Sequence, residues 1–218
     1  MFAPVAAHPQ STPSALRGLL GARLAQLKGQ QRKRDEASFF WFDNQFGRAA
    51  VKVLPGEYFV SGEDLLVVTT LGSCIAVCLW DRSARVGGLN HFMLPDGAEG
   101  SGRFGAFAME QLINELLKLG ARRHALEAKV FGGGQVIAGM HSLRVGDRNT
   151  EFALSYLHTE RIPVVAKDVL DTCGRKVCFF PASGKAMVKR MASTSDAALR
   201  RERELAISPA AAGSVNLF

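Results

Sequence analysis

The sequence has no long apolar run and is poor in cysteine, histidine, tryptophan and tyrosine. Its 218 residues include four cysteines, five histidines, two tryptophans and two tyrosines. No run approaches the roughly 18–20 apolar residues that a membrane helix needs, so membrane insertion is not expected. The N-terminus has no long apolar segment ahead of a cleavage site, so we also expect no signal peptide.

The small number of cysteines bears on location and on metal binding. Cys74, Cys78, Cys173 and Cys178 are typical of a protein of the reducing cytoplasm, which is the location we predict. Cys74 and Cys78 lack a second pair with histidines at zinc-site spacing. We therefore predict no metal ion and no other cofactor.

The positive charge is unevenly distributed. The net charge is +7, and six basic residues precede the first acid, Asp35: Arg17, Arg23, Lys28, Arg32, Lys33 and Arg34. The rest of the chain is therefore nearly neutral. A basic segment can contact nucleic acid or acidic lipid, but a solvated extension is the simpler interpretation. No nucleic acid partner is expected.

Composition divides the chain into three parts. Residues 1–50 read as a basic, proline- and alanine-containing extension that is partly disordered, with a short helix predicted over Leu16–Leu27. Trp41-Phe42 is predicted to dock on the edge of the domain. Residues 51–191 read as one catalytic domain, and residues 192–218 as a C-terminal helix and tail.

Strand and helix patterns alternate within the central part. Buried strands are predicted at Leu65–Thr70 and Val164–Ala166, and a helix that Gly120 ends follows a loop over Asp96–Arg103. Asn149 is predicted to cap a helix over Thr150–Arg161, and a hairpin is predicted at Lys176–Lys189. This alternation predicts an α/β fold, a layered sandwich with a mixed sheet.

Two neighbouring stretches carry the candidate catalytic residues. Thr69-Thr70-Leu71-Gly72-Ser73-Cys74 reads as a strand that runs into a turn and then a cysteine, and Asn90-His91-Phe92 lies in a second short strand. If these runs are adjacent, Cys74 and His91 face each other as a nucleophile and a base. Backbone N–H groups at Gly72-Ser73 are expected to lower the pKa of the Cys74 thiol. Cys78, inside an apolar run, reads as a core residue.

Five stretches of the sequence resemble the CheD family, the chemoreceptor glutamine deamidases of bacterial chemotaxis. They are Leu71–Asp81, Gly88–Pro95, Lys129–Gly134, Gly146–Asn149 and the run from Ile162–Asp168 to Gly174–Val177. They cover roughly residues 55–191 in the order and spacing of the family. The glycines of Lys129–Gly134 match no phosphate-binding fingerprint, so we expect them to allow close backbone packing beside the site.

The resemblance implies an enzyme and its substrate. It implies a protein-glutamine deamidase (a hydrolase) that converts glutamines of methyl-accepting chemotaxis receptors to glutamates, on a fold similar to that of bacterial toxin deamidases with a Cys-His site. A CheC-type phosphatase is a possible partner. Cys74 would attack the side-chain amide and form a thioester, His91 would move the protons, and Gly72, Ser73 and Asn90 would shape the oxyanion site.

The third catalytic group is less well defined. The family has a threonine on the strand before the cysteine, and the count falls nearest Thr69, which we predict to orient His91. Val68 and Thr70 remain alternatives, and neighbouring strand residues point to opposite faces. The chain departs from the family where Leu170-Asp171 replaces a usual Gly-Gly pair.

Two other classes of function remain open. One is a non-catalytic chemotaxis adaptor that binds receptors or a CheC-type phosphatase. The other is a thiol hydrolase acting on a free metabolite. A protein substrate needs an open groove and a metabolite needs a closed pocket, so the two enzyme classes differ in the shape of the site.

Overall fold

The computed structural model describes residues 13–94, 101–136 and 145–191, with side chains from residue 21 onward except those of residues 101–103. The helices are α1 (Pro13–Gly29), α2 (Ser101–Lys118) and α3 (Val145–Thr159). The strands are β1 (Phe39–Asp43), β2 (Arg48–Lys52), β3 (Tyr58–Ser61), β4 (Leu66–Leu71), β5 (Ile75–Asp81), β6 (Val86–Phe92), β7 (Leu126–Gly132), β8 (Val164–Val169), β9 (Gly174–Phe180) and β10 (Lys185–Met191).

The strands form two five-stranded sheets. The first sheet has the order β1-β2-β4-β9-β10, and the second has the order β3-β6-β5-β7-β8. Each is mixed, because β2 and β4 run parallel in the first sheet and β7 and β8 run parallel in the second, while the other pairs are antiparallel. The predicted α/β class is confirmed, with two mixed sheets where one was expected.

Most of the core lies in two layers on either side of the second sheet, and a smaller buried cluster lies on the outer face of the first sheet. Inward-facing residues of both sheets meet between them, among them Leu71, Ala76, Leu89, Val177 and Phe179. The opposite face of the second sheet packs on α2 and α3 through a separate cluster that includes Val77, Leu112, Ile113, Val130 and Ala153. Strand residues alternate between faces, so β5 contributes its even-numbered residues to the first layer and its odd-numbered residues to the second.

A short bend carries the chain from β4 of the first sheet directly into β5 of the second. Residues 72–74 join β4 of the first sheet to β5 of the second. The predicted strand, Gly-Ser turn and apolar run are therefore all present. Because the bend links the two sheets at one end of the sandwich, residues on either side of it face each other across the first core layer.

The N-terminal part contributes to the sandwich. Leu27, at the end of the predicted helix, is 4% exposed, and Ala37 is fully buried in the layer between the sheets. Trp41-Phe42 lies within β1, the edge strand of the first sheet, so its predicted position at the domain edge is confirmed, as a strand of the sheet. The division at residues 50 and 51 stays a prediction, although β1 and most of β2 precede it.

Two local predictions fail for reasons of tertiary structure. Val164–Ala166 was predicted as a buried strand, but β8 is the edge of the second sheet and its first four residues are exposed. Asn149 was predicted to cap a helix that starts at Thr150, but α3 begins five residues earlier, at Val145. The hairpin predicted at Lys176–Lys189 is confirmed as β9 and β10.

Some predictions concern parts of the chain outside the described residues. These are most of the loop predicted over Asp96–Arg103, of which Ser101–Arg103 belong to α2, and all of the C-terminal helix and tail at residues 192–218. Within the described part of the chain, no helix is both long and apolar enough to cross a membrane.

Candidate active site

The bend at residues 72–74 is held through its backbone. The Gly72 carbonyl oxygen accepts a hydrogen bond from the Gly134 N–H at 2.7 Å, and the Cys74 carbonyl oxygen accepts one from the Gly133 N–H at 2.8 Å. The Ser73 carbonyl oxygen between them accepts a hydrogen bond from the Asn149 side-chain amide at 2.8 Å. Three consecutive peptide units therefore have fixed orientations. Asn149 also accepts a hydrogen bond from the Leu94 N–H at 3.0 Å, which ties the end of β6 to the same bend.

The glycines after β7 approach the bend more closely than any side chain would allow. Gly132 has a φ of +112°, and a Cβ built on it would lie 2.1 Å from the Cys74 carbonyl oxygen. Gly133 has a φ of +68° and donates to that same oxygen. These left-handed conformations favour glycine, which has no Cβ. The predicted close packing of this glycine run beside the site is confirmed.

Cys74 and His91 lie in the layer between the two sheets. Each is 1% exposed, and Cys74 belongs to the core cluster there. His91 pairs directly with Ala76, which also faces this layer, so the imidazole points to the same side as the Cys74 side chain two residues earlier. The predicted adjacency of the two strands is therefore observed, with both side chains directed at the first sheet.

Thr69 reaches His91 from the opposite sheet. Its Oγ1 lies 2.8 Å from His91 Nδ1, and its hydroxyl donates to the Val53 carbonyl oxygen at 2.7 Å. A hydroxyl has one proton, so an Oγ1 that donates to Val53 can only accept from His91. Nδ1 therefore carries the proton of the neutral imidazole. The tautomer leaves Nε2 as the nitrogen that takes up a proton.

The structure separates Thr69 from its two alternatives. Thr69 is fully buried and faces the second sheet. Val68 belongs to the cluster on the outer face of the first sheet, and Thr70 is partly exposed. Neighbouring strand residues point to opposite faces, so only Thr69 of the three meets His91.

A Pro-Gly turn fixes the backbone of His91. The Glu57 N–H donates to the Leu54 carbonyl at 2.9 Å and Gly56 has a φ of +86°, as in a type II turn. His91 donates its N–H to the Glu57 carbonyl at 3.0 Å, and its own carbonyl accepts from the Gly56 N–H at 2.8 Å. The turn follows directly on Val53, so one short segment orients both His91 and Thr69.

Asn90 does not join this group. It was predicted to shape the oxyanion site, but its side chain lies on the opposite face of β6, as expected for a residue adjacent to His91. Its Oδ1 accepts from the Val77 N–H at 3.1 Å, and its Nδ2 donates to the Ala108 carbonyl of α2 at 3.0 Å. Asn90 therefore fixes α2 against the second sheet.

The other thiols have different environments. Burial raises the pKa of Cys78 far above its usual range, and the same effect raises the pKa of Cys178. A thiol with a raised pKa is a poor nucleophile at neutral pH. Cys173 is partly exposed on the β8–β9 loop. Among the described residues, no cluster of three or more His, Cys, Asp or Glu side chains could hold a metal ion.

Two groups beside the site were missed from the sequence. One is Asn149, which was read as a helix cap because it lies next to an apolar helical pattern. Asp147, an acid of the kind that favours a first helical turn, was the available signal for an earlier start. The other is the Val53 carbonyl, a backbone group for which no sequence signal exists.

Comparisons with known proteins give one consistent family. A family model described as CheD chemotactic sensory transduction matches residues 93–190, a range that begins two residues after His91. Relatives named probable chemoreceptor glutamine deamidase CheD cover the site as well. The Albidiferax ferrireducens relative is 56% identical over 94% of this chain and 91% of its own length, and the Dechloromonas aromatica relative is 51% identical over 82% and 93%.

Known structures give a weaker comparison. The Bacillus licheniformis hypothetical protein YfiH is 13% identical, covers 53% of this chain and 51% of its own, and has a TM-score of 0.39. A likeness at that level is too low to support a conclusion about the fold.

Proposed function

Since the chain belongs to the CheD family, we propose that Cys74, His91 and Thr69 are the groups with which it deamidates glutamine side chains of chemoreceptors. The activity is that of a protein-glutamine glutaminase: the carboxamide is hydrolysed to a carboxylate and ammonia is released. Methyl-accepting chemotaxis receptors are the substrates we propose.

The observation that carries the assignment of residues is the hydrogen-bond chain from Val53 through Thr69 to His91. It places the imidazole proton on Nδ1, so that Nε2 is the basic nitrogen. A thiol needs such a base to become a nucleophile at neutral pH. Cys74 lies on the same face of the second sheet as His91, in the same buried layer.

The reaction follows from these roles. Cys74 transfers its proton to His91, and the thiolate attacks the glutamine side-chain carbonyl to form a tetrahedral intermediate. The imidazolium then protonates the departing nitrogen, so that ammonia leaves and a thioester remains. His91 next activates a water molecule, which hydrolyses the thioester to glutamate and returns the thiol.

The bend provides the donors for the tetrahedral oxyanion. In a trans peptide the N–H points opposite to the C=O of the same unit. The Gly72 carbonyl is directed at Gly134 and the Ser73 carbonyl at Asn149, so the N–H groups of Ser73 and Cys74 point away from those two residues. In this mechanism these N–H groups stabilise the negative charge beside the reacting sulfur.

Two finer features belong to the same proposal. A CheC-type phosphatase is a binding partner that the family resemblance suggests. The likeness to bacterial toxin deamidases would consist of a Cys-His pair on a mixed sheet, which Cys74 and His91 of the second sheet provide. Both are testable separately from the activity.

The experiment is intact-mass analysis of a chemoreceptor fragment that contains substrate glutamines, with ammonia measured in parallel. The wild-type chain should replace NH2 by OH at specific glutamines, and Cys74→Ala and His91→Ala should each abolish the change while remaining folded. Cys78→Ala is the matched control, because it removes a neighbouring thiol of the same strand. Activity in a folded Cys74→Ala protein would eliminate the covalent mechanism, and inactivity of the wild type would remove the proposed substrate.

A further inference from the structure

The loop between β8 and β9 has a strained backbone. Leu170 and Asp171 have φ values of 64° and 73°, so two consecutive residues with side chains adopt the left-handed conformation. This conformation is unfavourable for residues that carry a side chain. A conformation of that kind persists only where surrounding contacts impose it, so the contacts around this loop identify what fixes it.

Two arginines impose the conformation. Arg175 of β9 is fully buried and donates through Nε and Nη2 to Asp168 Oδ1, at 3.0 and 2.9 Å. Its Nη1 donates to the Cys173 carbonyl at 3.1 Å. Arg190 of β10 donates to both oxygens of Asp168, at 2.8 and 3.2 Å, and to Asp171 at 3.2 Å. We call Arg175, Arg190, Asp168 and Asp171 the arginine clamp.

The clamped loop in turn holds the glycine run after β7. The Leu170 N–H donates to the Gly132 carbonyl at 2.8 Å, and the Asp171 carbonyl accepts from the Gln135 N–H at 2.7 Å. The loop therefore brackets the run at both ends. Between those two bonds lie Gly133 and Gly134, whose N–H groups bind the carbonyl oxygens of the bend that carries Cys74.

The loop, the glycine run and the bend are packed so closely that none of them can shift without moving its neighbour. A Cβ on Gly134 would lie 2.6 Å from the Cys173 carbonyl oxygen and 3.3 Å from Arg175 Nη1. On the other side of the run, a Cβ on Gly132 would lie 2.1 Å from the Cys74 carbonyl oxygen. Backbone therefore packs on backbone from the clamp to the bend, and a displaced loop must displace the glycine run, the bend or both.

We propose that Asp168 and Arg175 are positioning residues for Cys74. They set the orientation of the 72–74 bend, and with it the sulfur and its neighbouring N–H groups, through the β8–β9 loop and the glycine run. The inference rests on the proposed function, because it assigns the pair a part in the same reaction. Neither side chain touches the substrate in this scheme, so the pair acts on the rate of the chemical step.

The test compares Asp168→Asn and Arg175→Lys with Asp81→Asn. Asp81 is a fully buried carboxylate at the far end of β5, where it accepts the N–H groups of Ser83, Ala84 and Arg122. Its substitution weakens the fold without touching the bend. It therefore separates loss of stability from loss of positioning.

Three quantities are measured well below the unfolding temperature of each variant: kcat, KM on the receptor fragment, and the rate at which iodoacetamide alkylates Cys74. Asp168→Asn and Arg175→Lys should lower kcat roughly 10- to 100-fold with KM little changed, the size expected of a displaced reacting group. The alkylation rate of Cys74 should change in both. Asp81→Asn should leave kcat and the alkylation rate of the folded protein unaltered.

A replacement variant and a measurement without substrate cover the two ways in which the test could fail to report on the clamp. If either clamp variant fails to fold, Arg190→Ala replaces it, because Arg190 is 59% exposed and its loss should produce a smaller effect of the same sign. If the wild type does not deamidate the fragment, the alkylation rate still tests the clamp without a substrate. Clamp variants whose kcat and alkylation rate match those of Asp81→Asn would reduce the pair to a structural ion pair and overturn the proposal.

Discussion

At the scale of the residue, the hydroxyl of Thr69 decides which nitrogen of His91 is basic. The hydroxyl oxygen accepts a hydrogen bond from His91 Nδ1–H, because the hydroxyl's own proton is donated to the Val53 carbonyl. A single side chain on the first sheet thus fixes the proton on an imidazole of the second sheet.

We expect Thr69→Val to lower kcat roughly 10- to 100-fold, since the buried His91 and Val53 groups each lose a partner worth about 1–3 kcal/mol. Thr69→Ser keeps the hydroxyl and should retain most of the activity. The rates are compared by receptor-fragment mass analysis. Equal rates in the Val and Ser variants would show that the hydroxyl does not set the tautomer.

The reactivity of Cys74 is a second prediction at this scale. In the proposed mechanism, proton transfer to His91 and the backbone N–H dipoles of the bend favour the Cys74 thiolate, whereas burial raises the pKa of Cys78. Limiting iodoacetamide at pH 6.5 should therefore label Cys74 before Cys78 and Cys173, and His91→Ala should remove the preference. Peptide mapping gives the order. Unchanged labelling in the His91 variant would mean that no ion pair forms without substrate.

At the scale of the element, α3 stabilises the site through one buried side chain. Asn149 is fully buried and joins the 72–74 bend to the end of β6. An asparagine inside a helix has low intrinsic helix propensity, so its position here reflects tertiary contacts.

Asn149→Ala should cost about 1–3 kcal/mol for each of the two backbone groups that lose their partner. It should also lower activity per folded molecule, because the Ser73 carbonyl is released. Leu157→Ala, at a fully buried position on the same helix, should destabilise without that second effect. Urea unfolding and kcat are measured for both, and activity that tracks stability alone in both variants would argue against a role for Asn149 in the bend.

Elements that depend on local pattern were predictable, and those that depend on neighbours were not. The apolar run of β4 and the turn signals of the β9–β10 hairpin are local, and both were found. The exposure of β8 follows from its place at a sheet edge, which no property of Val164–Ala166 reveals. The pairing of Thr69 with His91 was anticipated only through the family resemblance. The contacts of Arg175 in the clamp could not be predicted from the sequence, because its partners become its neighbours only after folding.

At the scale of the whole molecule, residues 27–40 of the N-terminal part pack against the rest of the fold. Leu27 and Ala37 fill the layer between the sheets, and Lys33 forms an ion pair with the largely buried Glu115 of α2. Arg32 lies 4.6 Å from the Phe40 ring, as in a cation–π contact.

Deletion of residues 1–38 should therefore lower the free energy of unfolding. Leu27→Ala alone should cost about 2–5 kcal/mol, while Lys28→Ala, at the exposed neighbouring position, should stay within about 0.5 kcal/mol of wild type. Urea unfolding midpoints report the difference. A truncated chain with an unchanged midpoint would make this segment the dispensable extension that its composition suggested.

Stability should also fall in acid. Burial opposes ionisation of Asp81 and Glu115, but the backbone N–H donors at Asp81 and the two lysines at Glu115 outweigh it, so the pKa of each carboxyl lies below its ordinary value. At Asp168, hydrogen bonds from Arg190 lower the pKa in the same direction. A lowered folded pKa stabilises the protein above the unfolded pKa, about 4, and that contribution is lost as the pH falls through the folded value. Unfolding midpoints between pH 7 and 3 test this, and Asp81→Asn should flatten the decline.

The placement of Thr69 and His91 on different sheets has a consequence for biosynthesis. Thr69 lies in β4, which pairs with β2 on one side and with β9 on the other, where Val177 is opposite Thr69. That pairing joins residues 108 positions apart (177 − 69), nearly half of the 218-residue chain, and such long-range contacts form late. We therefore expect a nascent chain to carry Cys74 without an oriented His91 until β9 has been made and the two sheets have closed. If Cys74 is the nucleophile that we propose, we expect its reactivity to develop only in the last steps of folding, so that an incomplete polypeptide would not deamidate other proteins of the cell.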